Sequence, residues 1–178
     1  MRIIAGTRKG HSIQAPKKPG IRPTSDRVRE NVFNIVAPWV EGARVLDLYA
    51  GLGAMGLEAL SRGAAAVVFV ESDPEAVRAI DRNLDKLGLT GARVVRHDVV
   101  TGLGQEVGAA RKYDLVLVDP PYAMTDYTAL SRYLPAVLAE DGLLVFESSA
   151  RTEPDVPGLA VRTSRKYGAA RVTVLEHE

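Results

Sequence analysis

The chain has 178 residues, 46% of them hydrophobic and 25% charged, which suits one compact domain with a small appendage and excludes disorder. It has no cysteine, so disulfides and thiolate metal sites are excluded, and the spacing of His11, His97 and His177 gives no metal site. No apolar run reaches the roughly 18–20 residues that span a bilayer, and the opening Met1–Gly6 lacks the apolar segment of a signal peptide. The expectation is a cytoplasmic monomer with no metal and no membrane.

Net charge is only +1, but it is unevenly spread. Between Met1 and Arg29 lie Arg2, Arg8, Lys9, Lys17, Lys18, Arg22, Arg27 and Arg29 against the single acid Asp26, leaving the rest of the chain acidic. Clustered Lys and Arg release counterions from a polyanion, so this segment reads as a footprint for a phosphate backbone rather than only a solubilising tail.

In chain order, Arg2–Ala5 and Ser12–Gln14 read as a small β-hairpin, followed by a loop bounded by Pro16, Pro19 and Pro23. Thr24, Ser25 and Asp26 offer N-caps to a helix whose apolar face is Val28, Val32, Phe33, Ile35 and Val36, stopped by Pro38. From Ala43 onward apolar strands alternate with helices. Strands are predicted at Arg44–Tyr49, Ala66–Glu71, Ala92–His97, Tyr113–Asp119 and Gly142–Glu147; helices at Met55–Arg62, Pro74–Leu87, Val99–Ala110 and Asp126–Leu138. Continuous apolar strands of this kind have helices on both faces. The tail differs, with strands at Leu159–Arg165 and Ala169–Glu176 around Tyr167-Gly168. The predicted fold is α/β: a doubly wound, mostly parallel seven-stranded sheet that ends in an antiparallel hairpin. Residues 1–23 form a basic hairpin extension and residues 24–178 the main domain.

The first strand runs into Asp47-Leu48-Tyr49-Ala50-Gly51-Leu52-Gly53-Ala54-Met55-Gly56. Glycines at a strand-to-helix turn let the backbone approach a ligand closely. Gly51, Gly53 and Gly56 also match the dinucleotide fingerprint, which is weak evidence alone. Glu71, about 20 residues further on, ends the second strand where a carboxylate can accept both ribose hydroxyls. Asp47 separates the possibilities. A carboxylate under this loop repels a pyrophosphate but suits an ammonium, such as the methionine end of S-adenosylmethionine. The run resembles motif I of the class I methyltransferases, D-x-x-x-G-x-G. That resemblance implies a site lined by Asp47, Tyr49, Ala50, Gly51, Gly53, Gly56, Glu71, Ser72, Asp98, Val99 and Asp119, with Glu71 on the ribose and Asp98 facing the adenine amine. Read without the resemblance, Asp98 is a helix N-cap, and Tyr49 and His97 are packing residues.

The fourth strand ends in Asp119-Pro120-Pro121-Tyr122, where a doubly wound sheet places its active site. An exocyclic base amine is a poor nucleophile because its lone pair is delocalised into the ring. The Asp119 carboxylate and the Pro120 carbonyl can take its two hydrogens, and the stiff Pro120-Pro121 unit holds that carbonyl in place. Tyr122 can stack on an unstacked base. The tetrapeptide resembles motif IV of the amino-methyltransferases, [DNS]-P-P-[YFW].

Over essentially its whole length the chain resembles the bacterial RsmD family, which methylates guanine N2 in small-subunit ribosomal RNA. The matching residues are Arg2–Gly6 with Lys9-Gly10, Arg22-Pro23-Thr24 with Asp26–Asn34, Gly51–Gly63, Asp119–Tyr122 and Lys166-Tyr167-Gly168. Tyr49 and Leu52 depart from the family's usual Phe and Ser, and Ala169-Ala170 from a more polar pair. The resemblance implies S-adenosyl-L-methionine as donor, S-adenosyl-L-homocysteine as product, and the small ribosomal subunit with its 16S rRNA as partner. Arg8, Lys9, Lys17, Lys18 and Arg22 would position RNA phosphates. The same motifs also serve adenine-N6 methyltransferases acting on DNA or RNA, and protein-glutamine methyltransferases. An NAD-dependent oxidoreductase and a non-catalytic RNA-binding module are the readings of other classes.

Overall fold

The computed structural model describes residues 1–15 and 24–178. Its strands are β1 (Arg44–Leu48), β2 (Ala66–Glu71), β3 (Ala92–Arg96), β4 (Tyr113–Val118), β5 (Leu138–Ser149), β6 (Leu159–Tyr167) and β7 (Ala170–His177). Its helices are α1 (Asp26–Val36), α2 (Ala54–Ser61), α3 (Pro74–Leu87), α4 (Val99–Gly108), α5 (Thr128–Ser131) and α6 (Leu134–Val137). All seven strands form one sheet in the order β3-β2-β1-β4-β5-β7-β6. β1 to β5 run parallel, and β7 enters antiparallel between β5 and β6.

Strand composition accounts for the order. β7 brings Val172, Val174 and Leu175, all about 1% exposed, and lies inside the sheet. β6 carries Arg162, Arg165 and Lys166 and forms one edge, while β3 with Arg93 and Arg96 forms the other. Charged side chains on edge strands discourage further strand pairing. Alternate residues of the central strands feed two cores. Val45, Leu115, Leu117 and Val145 pack with Phe33, Leu57, Phe69 and Ile80 on the side of α1, α2 and α3. Leu46, Leu48, Val116, Val118 and Phe146 pack with Leu103, Leu130 and Leu134 on the side of α4, α5 and α6.

Local signals set the helix ends. Ser25 caps α1 by accepting from the Val28 amide at 3.2 Å. Asp73 caps α3 by accepting from the Glu75 amide at 2.9 Å, Pro74 follows, and Gly88 ends the helix in the left-handed conformation. The helix predicted over Asp126–Leu138 is instead two single-turn pieces, α5 and α6. Pro135 lacks the amide that would continue the ladder to Ser131, and its ring would collide with that carbonyl. β5 also starts earlier than predicted, at Leu138, with a register shift against β4 between Tyr113 and Leu115.

The N-terminal hairpin is short. It has one bridge, Arg2 to Ser12, and amide bonds from Ile3 to the His11 carbonyl and from Ile13 to the Met1 carbonyl, both 2.9 Å. Its apolar residues Ile3 and Ile13 are buried in the core beside α1 and α2. Glu58 of α2, wholly buried, accepts the amides of Ile4 at 2.9 Å and Ala5 at 3.0 Å and pairs with Arg29 and Arg62. At Gly6, with φ +87°, a Cβ would lie 1.8 Å from the Ser61 carbonyl oxygen, so only glycine allows this approach. The expected boundary at residue 23 falls outside the described residues.

Candidate active site

The loops after β1 and β4 leave the same edge of the sheet. Leu48 pairs in parallel with Val118, and the Asp119 amide donates to the Leu48 carbonyl at 3.4 Å. A ligand over one loop therefore meets the other, as expected at the carboxyl ends of strands in a doubly wound sheet.

The loop after β1 is folded by positive-φ backbone at Tyr49 (59°), Gly51 (56°) and Gly53 (81°). Tyr49 pays for a conformation that side chains disfavour by about 1–3 kcal/mol, a strain typical of ligand loops. Its hydroxyl reaches the Met124 sulfur at 3.7 Å. The glycines differ in purpose. A Cβ on Gly51 would meet nothing within 4 Å, so its surface is open to a ligand. A Cβ on Gly56 would fall 2.3 Å from Phe69 Cε1, so that glycine seats α2 on β2. Ala50 donates to the Val70 carbonyl at 3.1 Å, tying the loop to β2.

Carboxylates surround this loop, and backbone amides hold each one. Glu71 accepts from the Gly51 amide through Oε1 and from the Asp73 amide through Oε2, both at 2.8 Å. Asp47, 3% exposed, accepts from the Gly56 amide at 3.0 Å. Burial pushes the Asp47 carboxyl up to about 8 despite that bond, and the charges of Asp119 and Glu71 add to the rise. A site with this potential repels a pyrophosphate and attracts a cation. Asp98 is the N-cap of α4, accepting from the Thr101 amide at 3.0 Å and the Thr101 hydroxyl at 2.6 Å. The Thr101 hydroxyl and then its amide hold the Asp98 carboxyl below its usual range. Capping and ligand contact are compatible, because Asp98 also borders a cavity of about 250 Å3 with Tyr49, Glu71, Ser72, Val99, Val100 and Met124.

Past β4, Asp119 accepts from the Thr24 hydroxyl at 2.9 Å. Pro120 is buried and Pro121 exposed, and the Pro121 carbonyl accepts from the Met124 amide at 2.9 Å. The half-buried Tyr122 donates through its hydroxyl to Glu147 at 3.4 Å. Asp47, Asp119 and Glu147 line one recess walled by Val32, Met55 and Val145. Asp47, Glu71 and Asp119 thus converge on one edge of the sheet, close enough for the charges of the last two to act on the first.

The basic residues divide. Lys9 is exposed, whereas the Arg8 guanidinium donates to the Leu87 and Gly88 carbonyls at the end of α3. Arg29 is wholly buried, donating to the Arg2 carbonyl and, at 2.9 Å, to Asp26. Lys17, Lys18 and Arg22 lie outside the described residues. Sequence reasoning took Thr24 for a possible cap and a residue matching the family, and Glu147 only for a strand end, and it passed over Met124 and Val100.

The family described as Conserved hypothetical protein 95 matches residues 1–176. The Ribosomal RNA small subunit methyltransferase D of Escherichia coli strain K12 is 38% identical over 160 residues, covering 88% of this chain and 79% of that protein. The chain belongs to the RsmD family. Another relative, YlbH of Bacillus subtilis, is 37% identical over 179 residues, covering 98% of this chain and 97% of its own. Among solved structures, yhhF from Escherichia coli superposes with a TM-score of 0.89 at 34% identity, covering 100% of this chain and 98% of that one. The fold extends to SMU.776, solved in complex with S-adenosylhomocysteine, with a TM-score of 0.71 at 17% identity over 84% of this chain and 48% of that one. Membership of the RsmD family makes the chain a methyltransferase with a Rossmann-like sheet. Among the described residues no helix is long and apolar enough to cross a membrane, and no cluster of three or more His, Cys, Asp or Glu could hold a metal ion.

Proposed function

We propose that the protein transfers a methyl group from S-adenosyl-L-methionine to the exocyclic N2 amine of a guanine in small-subunit ribosomal RNA, acting on the assembled particle in the cytoplasm. The observation that carries this reading is the Asp119-Pro120-Pro121-Tyr122 turn leaving β4 beside the glycine loop leaving β1, in a chain of the RsmD family.

The carboxylates fit the donor. Asp47 would take its ammonium, Glu71 its ribose hydroxyls and Asp98 its adenine amine, while Tyr49, Ser72, Val99 and the open face of Gly51 line the space between. When bound, S-adenosylmethionine supplies an electrophilic methyl group on a sulfonium. The chain does the rest. Asp119 and the Pro120 carbonyl accept the two amine hydrogens, turning the nitrogen lone pair toward the methyl group. Tyr122 stacks on the base and offsets part of the few kcal/mol that extruding it costs. After transfer, Asp119 or water takes the surplus proton. Lys9, with Lys17, Lys18 and Arg22, would contact phosphates. Arg8 adds its charge there while capping α3.

The test is transfer of labelled methyl from the donor to small ribosomal subunits, to duplex DNA and to protein, followed by mass spectrometry of the digested nucleosides. The expected product is N2-methylguanosine from the small subunit. Label in DNA, or as N6-methyladenosine, would discard this reading.

A further inference from the structure

The turn between β6 and β7 stands at the same edge of the sheet as the site, on the side away from the donor loops. β5 runs parallel to β4, so Ser149 ends β5 at that edge, and the pairs Ser149–Ala170 and Tyr167–Ala170 carry the turn there too. Sheet order puts β6 three strands from β4, about 15 Å at a spacing near 4.8 Å. Exposed Arg165 and Lys166 lie at the end of β6, and exposed Arg151 follows β5. The Ala150 amide donates to the Ala169 carbonyl at 2.8 Å. Arg171 braces the same junction, donating to the Ser164 hydroxyl at 2.8 Å and to the Ala150 carbonyl at 3.2 Å. Further along the edge strands, Arg162 pairs with Glu176 at 2.9 Å and Arg93 with Glu106 at 2.7 Å. Among the described residues no carboxylate pairs with Arg151, Arg165 or Lys166. Protection of an edge strand accounts for charge on β6, but Arg151 lies outside it.

We infer that Arg151, Arg165 and Lys166 form a phosphate-binding surface that holds the RNA strand flanking the target nucleotide. This rests on ribosomal RNA as the substrate, as proposed above. Tyr167 is half-buried against the core beside α1, so the surface offers cations without an exposed ring, which suits a backbone rather than bases. On the α5 side, Asp126, Glu153 and Asp155 line a cavity of about 620 Å3 with Arg132, and three acids against one arginine repel a polyanion. The strand therefore leaves the site over β5 and β7. Arg8 and Lys9 serve a different stretch. Arg8 donates to the Leu87 and Gly88 carbonyls at the end of α3. α3 starts after β2 at the catalytic edge, and its 14 residues run about 21 Å to the opposite edge. The phosphates that Arg8 and Lys9 meet are remote from the reacting base, whereas the β6–β7 turn stands beside it.

The test compares wild type with the triple variant Arg151→Gln, Arg165→Gln, Lys166→Gln and with the double variant Arg78→Gln, Arg82→Gln, which removes two exposed charges from α3. Binding to unmethylated small ribosomal subunits, and to 16S rRNA stripped of protein, is measured across a salt series. The triple variant is expected to lose about 10–100-fold in affinity for both probes at about 0.1 M salt. Each phosphate contact on a single strand contributes about 0.7 to the slope of log affinity against log salt, so the slope is expected to flatten by about two. The α3 variant is expected to keep the wild-type slope, and Arg151→Lys, Arg165→Lys, Lys166→Arg to restore it. Affinity for S-adenosylhomocysteine, read by calorimetry, is expected to be the same in every variant. A wild-type slope in the triple variant, an equal loss in the α3 variant, or a matching fall in S-adenosylhomocysteine affinity overturns the inference. So does a loss seen with subunits but not with stripped rRNA, which would place an acidic protein on this surface instead. Wild type that binds neither probe sinks the ribosomal reading itself, and that arm is read before any variant.

Discussion

The two halves of the proposed catalytic edge differ in the hydrogen bonds described to their carboxylates. Beneath the loops after β1, β2 and β3, the described bonds to Asp47 and Glu71 come from main-chain amides, and Asp98 takes the Thr101 amide along with the Thr101 hydroxyl. At the ends of β4 and β5, the described bonds to Asp119 and Glu147 include those from the hydroxyls of Thr24 and Tyr122. An amide is fixed by the backbone, whereas a hydroxyl turns about its own bond. Under the proposed function, the half assigned to the donor is therefore shaped before its ligand arrives.

Asp119→Ala sets the halves furthest apart. Its turnover is expected to fall about 10²–10³-fold, the scale of losing a preorganised polar contact. Donor affinity, measured by calorimetry, is expected to change by less than about tenfold. An equal loss in both would merge the halves into one site.

Asp47→Asn acts on the donor half. Removing a charge-assisted contact to an ammonium is expected to weaken donor binding about 10–100-fold. The wild-type pH dependence carries a second signature. Burial holds the Asp47 carboxyl near 8, against a usual value of 3.8. Its contribution to the ligand-free fold is complete at acid pH and is lost as pH rises toward 8. Donor binding goes the other way, because an ammonium favours the ionised carboxylate. Affinity is expected to rise between pH 6 and about 8 with release of a proton, and Asp47→Asn is expected to be flat over that range. Calorimetry in two buffers of different ionisation enthalpy measures the proton directly, and a flat wild-type profile would remove Asp47 from the ammonium site.

Gly56→Ala probes the rigidity of the donor half. The added methyl meets Phe69, and overpacking of this kind is expected to cost about 1–3 kcal/mol of stability, read from the denaturant midpoint. The amide that holds Asp47 moves with it, so donor affinity is expected to fall as well. An unchanged midpoint would mean that α2 shifts freely on β2.

Thr24→Val is the mildest change. It deletes one hydroxyl bond to Asp119, worth about 0.5–1.5 kcal/mol, and is expected to lower kcat/KM several-fold at unchanged donor affinity. A larger effect on donor binding than on turnover would contradict the division drawn above.

Much of this site is legible in the residues alone. Strand and helix alternation is a local periodicity, and so are the glycines after β1 and the acids that end β1 and β2. The Asp119–Tyr122 turn is contiguous, and its place at a strand end follows from the apolar run before it. Pro135 was equally local, and it broke the predicted Asp126–Leu138 helix because a missing amide outweighs an apolar stripe.

Other features depend on partners far apart in sequence. Thr24 meets Asp119 across 95 positions, and Ile4 meets Glu58 across 54. No periodicity records such pairs. The tail reads as a hairpin from its two strands, but the placing of β7 against β5, with β6 outside, needs the sheet to exist first. The same holds for the positive charge of the N-terminal segment. Residue counting assigns Arg8 and Arg29 to that charge alike, yet packing turns Arg8 to the end of α3 and buries Arg29 against Glu58. Short-range chemistry thus wrote the elements and the motifs, because backbone preference and apolar spacing act over a few residues. Only the assembled sheet chose which side chains meet at its edge, because that choice belongs to contacts that no neighbouring residues specify.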